Sequence, residues 1–462
     1  MKHIGLGVFE SARAANSNKF ALAHPESRHH EYTDLAFWVE MAQLLDDAAF
    51  DFLFFADGYG YPIDARGDVL PAAVEGGSFS GLESMTLIPA LAHATQRLGL
   101  VFTSPTGLDH PVHTARRLAS LDHLTRGRLG WNVVTGSSQD AVALLFGHEQ
   151  MRAHDDRYAR AREYLEMALE LWEGSWDDDG VLADRARGVY ADPGKIHRID
   201  RAGEFYRTSG YLTVEPSPQR TPVIFQAGTS EVGKDFAARY AECVFVKSES
   251  LERTAESVAD IRERAARYGR EPDDIAMFCS ASIIAGPDRD EALSWRKSIV
   301  DLQTDEGAAS QFRALAGIDL MALDPALPLT QRGDDLGEMN QSDVRKYLPR
   351  AGERAMTVRE ILDDLKGAKL GDWTITGDGG DVVDAMEEIV AATDIDGFML
   401  QPSLDIAELR RFVTFVLPVM QSRGHRPEGP SPARTFRAGL SGGDRLKPTH
   451  PGASYRRLAA PA

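Results

Sequence analysis

Phe52-Leu-Phe-Phe-Ala-Asp57 is a run of five apolar residues closed by a carboxylate. It is too short for a helix and too uniformly apolar for a strand with one wet face, which leaves a strand buried on both sides. Seven more runs of this kind are spaced along the chain: His3–Phe9, Leu98–Thr103, Arg128–Val134, Pro222–Gln226, Cys243–Val246, Ile275–Ile284 and Gly397–Gln401. Amphipathic stretches alternate with them, at Ala36–Phe50, Met85–Thr95, His113–Leu124, Asp156–Glu173, Glu231–Tyr240, Leu251–Tyr268, Asp288–Leu302 and Asp405–Gln421. Eight strands, each followed by a helix, predict the α/β class and a closed parallel (β/α)8 barrel, a TIM barrel, rather than an open doubly wound sheet.

A barrel of this type needs about 250 residues, and the chain has 462. The surplus falls in three places. One barrel domain is expected over 1–422, with insertions at about 174–221, after the fourth helix, and about 315–356, after the seventh. Both read as excursions over the barrel mouth. The remaining 423–462 form a Pro/Gly/Arg-rich extension with eight Lys/Arg against two acids, expected at the surface or bracing a subunit.

The net charge of -19 argues against nucleic acid or an anionic membrane as a partner. The two cysteines, Cys243 and Cys279, lie in apolar runs and read as buried, inert thiols. No run reaches membrane-spanning length, so the cytoplasm is the expected compartment.

Several polar residues stand where barrel enzymes carry their chemistry, at the C-terminal ends of strands. Asp57 closes the second strand and Thr103 the third, while Asn132 lies in Gly130-Trp-Asn-Val-Val-Thr-Gly136 of the fourth. Asp57 equally suits a turn residue capping Gly58-Tyr-Gly60. In Pro222-Val-Ile-Phe-Gln-Ala-Gly-Thr-Ser-Glu-Val-Gly233 a strand runs into a helix start. Its backbone N–H groups, with the Thr229 and Ser230 hydroxyls, form a phosphate cradle; the same Ser230 suits a plain N-cap. His154-Asp-Asp-Arg-Tyr158 opens a long helix and places His154 and Tyr158 on one face. His110-x-x-His113 reads as a helix start around Pro111 rather than as a metal pair, and no metal site is expected.

Together these segments resemble the bacterial luciferase-like FMN-dependent monooxygenases, in the branch of nitrilotriacetate and dibenzothiophene-sulfone monooxygenases. The resemblance is carried by Phe52–Asp57, Leu98-Gly-Leu-Val-Phe-Thr103, Ala115-Arg-Arg-Leu-Ala-Ser-Leu-Asp-His123 and Gly130-Trp-Asn-Val-Val-Thr135. Asp156-Arg-Tyr-Ala-Arg-Ala161, Ala191-Asp-Pro-Gly-Lys-Ile-His197 and Gln226-Ala-Gly-Thr-Ser230 extend it over most of the chain. It implies a (β/α)8 barrel that takes FMN, as FMNH2 supplied by a separate NAD(P)H-dependent flavin reductase. That flavin reacts with O2 through a C4a-(hydro)peroxide to insert one oxygen atom into a small organic substrate. Asp57, Thr103 and Asn132 are then expected at the flavin ring, and His154, Tyr158, Thr229 and Ser230 as further flavin contacts, the hydroxyls nearest the phosphate. His154 is the expected catalytic residue, and the 174–221 insertion part of a shield against water. A homodimer or homotetramer follows from the same resemblance.

The chain departs from the family at Thr106-Gly-Leu-Asp-His110, where relatives tend to carry a Thr-Thr-Tyr-Asn type of run. His110 is therefore a second catalytic or substrate-contacting candidate. An F420-dependent oxidoreductase of the same superfamily and a non-catalytic flavin-binding protein remain the alternatives.

Overall fold

The computed structural model describes all residues except 1, 16–20, 62, 64–66, 137–139, 149–151, 229, 317, 330–346, 348–353, 368–372, 430–434 and 458–462, and the side chains of 21, 140, 141, 154, 311, 314 and 315. The eight expected strands are all present: β1 Gly5–Glu10, β2 Phe52–Phe55, β3 Gly99–Pro105, β4 Leu129–Val134, β5 Val223–Gln226, β6 Cys243–Val246, β7 Ala276–Ala285 and, numbered β9 in chain order, Gly397–Leu400. They pair in parallel in the order β1-β2-β3-β4-β5-β6-β7-β9, and β9 returns to β1 to close the barrel. A further strand, β8 (Trp373–Gly377), lies outside the ring on the upper half of β7, Ala281–Ala285.

The interior is filled by fitting aromatic rings against glycines. Phe52 meets Phe225 and Phe278 edge to face, with ring centroids 5.3 and 5.2 Å apart. On the strands alongside, a Cβ at Gly7 would lie 2.3 Å from the ring of its register partner Phe52, and one at Gly5 or Gly397 2.6 Å from that of Phe278. No side chain fits there, so these strands carry glycine despite its poor strand propensity.

The C-terminal segment completes this packing instead of lying on the surface. Phe436 enters the barrel floor at Gly99, where a Cβ would approach it to 2.6 Å, and stacks on Phe225 at 5.9 Å. The next residue, Arg437, is fully buried; its Nε pairs with Glu242 Oε1 at 2.5 Å, and it donates to the carbonyl oxygens of Gln219 and Thr221. Farther on, His450 donates from Nε2 to the Tyr240 carbonyl at 2.8 Å and accepts at Nδ1 from the Gly452 N–H at 3.0 Å. Both nitrogens are used as a neutral ring uses them, and burial pulls the pKa of His450 down to about 4.

The first insertion has regular structure of its own. It forms two antiparallel hairpins, Val181–Asp184 with Val189–Ala191 and Ile199–Ala202 with Arg207–Gly210. The second is clamped along the helix His154–Gly174, where Glu163 accepts N–H bonds from Glu204, Phe205 and Tyr206 and Arg201 pairs with Glu166 at 2.7 Å. Its tip touches a mouth loop through the Tyr206 hydroxyl, 3.3 Å from the Thr106 carbonyl. Its charged residue Arg201 and its backbone N–H groups hold it to the acidic flank of that helix. Much of 315–356 lies outside the described residues. What is described joins the helices Asp305–Ala316 and Val358–Gly367 in a small separate core around Phe312, Leu320 and Ile361. Among the described residues no helix is long and apolar enough to cross a membrane.

Two outcomes are expected. Phe436→Ala should destabilise the protein by about 3–5 kcal/mol, the usual loss for a buried Phe that leaves a cavity, measured by denaturant unfolding. His450 has its folded pKa below its unfolded value, so its contribution is present above pH 6.5 and is lost as the pH falls toward about 4. A loss on the order of 3 kcal/mol over that window should be absent in His450→Gln.

Candidate active site

The C-terminal ends of the strands bring the sequence-flagged residues into two adjoining groups. In the first, Asp57 and Thr103 line one cavity of about 270 Å3. Both readings of Asp57 hold at once. One carboxylate oxygen accepts from the Gly58 N–H at 2.7 Å and the other from the Ser84 N–H and hydroxyl, each at 2.8 Å, yet the residue still borders the cavity. Thr103 donates its hydroxyl to the Phe55 carbonyl at 2.9 Å and accepts from Asn132 Nδ2 at 3.1 Å, the two being register partners on β3 and β4. Asn132 is only 4% exposed, and its Oδ1 has no hydrogen-bond partner among the described residues. A buried carbonyl oxygen left so costs about 1–3 kcal/mol and marks a place where a donor is missing.

The second group surrounds the Tyr158 hydroxyl, which interacts with Gln226, Ser230 and Thr135 at the ends of β5 and β4. Burial raises the Tyr158 pKa, while those hydrogen bonds and the Arg157 charge oppose the rise. Ser230 is the N-cap of the helix Glu231–Tyr240, its Oγ accepting from Gly233 N–H at 3.1 Å. A Cβ at either Gly228 or Gly233 would lie 2.8 Å from the Tyr158 hydroxyl. The loop therefore presses its backbone close to that hydroxyl, and only glycine fits at either position.

The remaining candidates divide. His154 opens its helix as expected, but its side chain lies outside the described residues, as does Thr229. His110 is exposed and caps the helix Pro111–Leu124, Nδ1 accepting from Val112 N–H at 3.3 Å; it packs edge to face on Tyr206 and is not among the residues lining the cavity. Sequence reasoning assigned no role to Gln226, Thr135, the two glycines or Arg157, which is nine-tenths buried beside Tyr158. All sit inside motifs already singled out, and their place at strand and helix ends was the available signal. It also passed over His29, which the fold buries between Glu10 Oε2 (3.7 Å) and Asp405 Oδ2 (3.4 Å) behind β1.

A closed parallel barrel with a polar, glycine-cradled mouth has the layout of a TIM-barrel enzyme. Residues 17–396 match the profile of the luciferase-like monooxygenases, and the chain belongs to that family. Long-chain alkane monooxygenase from Geobacillus thermodenitrificans is 36% identical, over 99% of both chains. Nitrilotriacetate monooxygenase component A from Aminobacter aminovorans, of the branch expected from sequence, is 34% identical over 87% of this chain and 88% of its own. A solved riboflavin lyase with modified FMN and riboflavin superposes with a TM-score of 0.91 at 36% identity, covering 99% of this chain and 100% of that one. Kinship of this extent with monooxygenases makes the chain a monooxygenase and displaces the F420-dependent and non-catalytic alternatives.

Asn132→Leu removes one bond to Thr103 and one unpaired oxygen together. The ligand-free variant should keep its unfolding free energy to within about 1 kcal/mol. A larger fall in urea titration would mean that the oxygen is satisfied.

Proposed function

We propose that the protein is a two-component FMN-dependent monooxygenase that takes reduced FMN from a separate NAD(P)H-dependent flavin reductase and transfers one oxygen atom of O2 to a small organic substrate. The observation that carries this reading is the buried Asn132 Oδ1, without a hydrogen-bond partner among the described residues, on a side chain bonded to Thr103, which itself lines the mouth cavity; such an oxygen suits an N–H donor of a flavin ring. Asp57, Thr103 and Asn132 would hold the ring. Tyr158, Thr229 and Ser230 would hold the phosphate with backbone N–H groups, Arg157 adding charge. When bound, reduced FMN supplies the two electrons that reduce O2, one atom going to substrate and the other leaving as water.

The chain's own part is to orient the ring, anchor the phosphate and govern protons. His154, at the start of the helix that carries Tyr158, is proposed to hold or move the proton at the flavin. His110 enters only as a substrate contact at the rim. The nitrilotriacetate relative is a component A, which supports a separate reductase. A homodimer or homotetramer in the cytoplasm completes the proposal.

Tyr158→Phe and Ser230→Ala should each weaken FMN binding by about 1–3 kcal/mol while leaving riboflavin binding nearly unchanged, since riboflavin lacks the phosphate. Unfolding of the ligand-free Ser230→Ala protein separates the loss of its cap, about 1 kcal/mol, from the loss of the ligand bond. Equal losses for both flavins in titration would refute the phosphate role. Under 18O2, with chemically reduced FMN and no reductase, product should gain one labelled oxygen atom.

A further inference from the structure

Besides the polar Asp57, Thr103, Ser104, Glu83 and Arg13, the mouth cavity is walled by rings and aliphatic groups. Tyr61 and Phe79 meet edge to face at 5.5 Å, and Tyr59 meets Phe146 in the same way at 5.1 Å. Tyr59, Phe79 and Leu145 of this wall, with Phe146 beside them, are 41–58% exposed. An apolar lip on a cavity with a polar floor is where the apolar body of a ligand sheds its water.

Charge narrows the class further. Among the described residues Arg13 is the one cation in the lining, and it is already engaged: Nη1 donates to the Ser78 carbonyl at 2.7 Å and Nη2 to that of Gly58 at 3.2 Å. Two carboxylates, Asp57 and Glu83, share the same lining. Their field reaches Tyr59, whose hydroxyl is held above the usual phenol range by burial first and then by Glu83, Asp57 and Asp109, with Arg117 opposing. An entering anion would meet acids that outnumber the cation, and an entering cation would find both Asp57 oxygens already accepting from Gly58 and Ser84 and Glu83 exposed to water, so neither charge is compensated for the hydration it loses.

We propose that this cavity selects an uncharged substrate with an apolar body, seated against Tyr59, Phe79 and Leu145, and rejects its anionic analogues. The reaction that follows rests on the flavin reading above, whereas the selection is a binding property of the cavity itself.

Calorimetry on the full chain, with and without FMN, tests it with methyl phenyl sulfide, 4-(methylthio)benzoate and 4-(methylthio)benzylamine, three probes that share a body and differ in charge. The neutral sulfide should bind at least ~10-fold more tightly than the benzoate and more tightly than the amine. Phe79→Ala and Leu145→Ser, at largely exposed positions where the fold survives, should each weaken it by roughly 10-fold, the scale on which an apolar pocket discriminates. A benzoate that binds as well, an amine that binds better, lip variants without effect, or no binding by any probe overturns the proposal. Failure of FMN to bind strikes the flavin reading alone, because the order of the three probes is still read in the FMN-free protein.

Discussion

The fit of aromatic rings against glycines inside the barrel governs the rest of the molecule. Phe52, Phe225, Phe278 and Phe436 occupy the volume that Gly5, Gly7, Gly99, Gly130 and Gly397 leave open. The rings make the lower barrel solid, so the space that a ligand can use lies above, at the strand ends. A methyl group on Gly7 would displace Phe52, and with it the neighbours it touches on two other strands. Close packing of this kind transmits any misfit across the whole ring of strands.

Above that floor the polar residues do not act singly. Thr103 joins the β2 carbonyl to Asn132 on β4, and Thr135, three residues farther along β4, reaches Tyr158. One strand thus serves both the cavity and the cradle, which fixes their separation by backbone geometry rather than by flexible side chains. Asp57 has a similar double role. Its bonds to Gly58 and Ser84 hold the rim in place and keep its own carboxylate oriented.

The barrel was legible because its strands are buried on both faces and therefore read as unbroken apolar runs, as Phe52–Phe55 does. β8 escaped notice because Trp373-Thr-Ile-Thr-Gly377 alternates polar and apolar residues over a very short span. The helix Gly379–Thr393 was signalled only by the turn residues of Gly377–Gly380 at its start, without bounds of its own. Asp57, Thr103, Asn132, Tyr158 and Ser230 were visible at strand and helix ends, positions that periodicity locates well. What sequence could not supply was pairing at a distance: Phe436 in the floor, His29 between Glu10 and Asp405, and a charged hairpin laid along the helix that precedes it. Composition alone sent the last segment to the surface, because its eight cationic residues conceal a buried Phe436 and include two buried arginines, Arg426 and Arg437.

The plug has a consequence for how the molecule is made. A chain emerging from the ribosome N-terminus first can pair β1 through β4 early, but Gly99 and Gly130 then face an open hole. The ring that fills it, Phe436, comes after every strand. The barrel is therefore left with an unfilled floor until the chain beyond its last strand has been made, and the stability that this ring brings is gained in one late step. Until then the exposed interior is a surface for chaperones to cover.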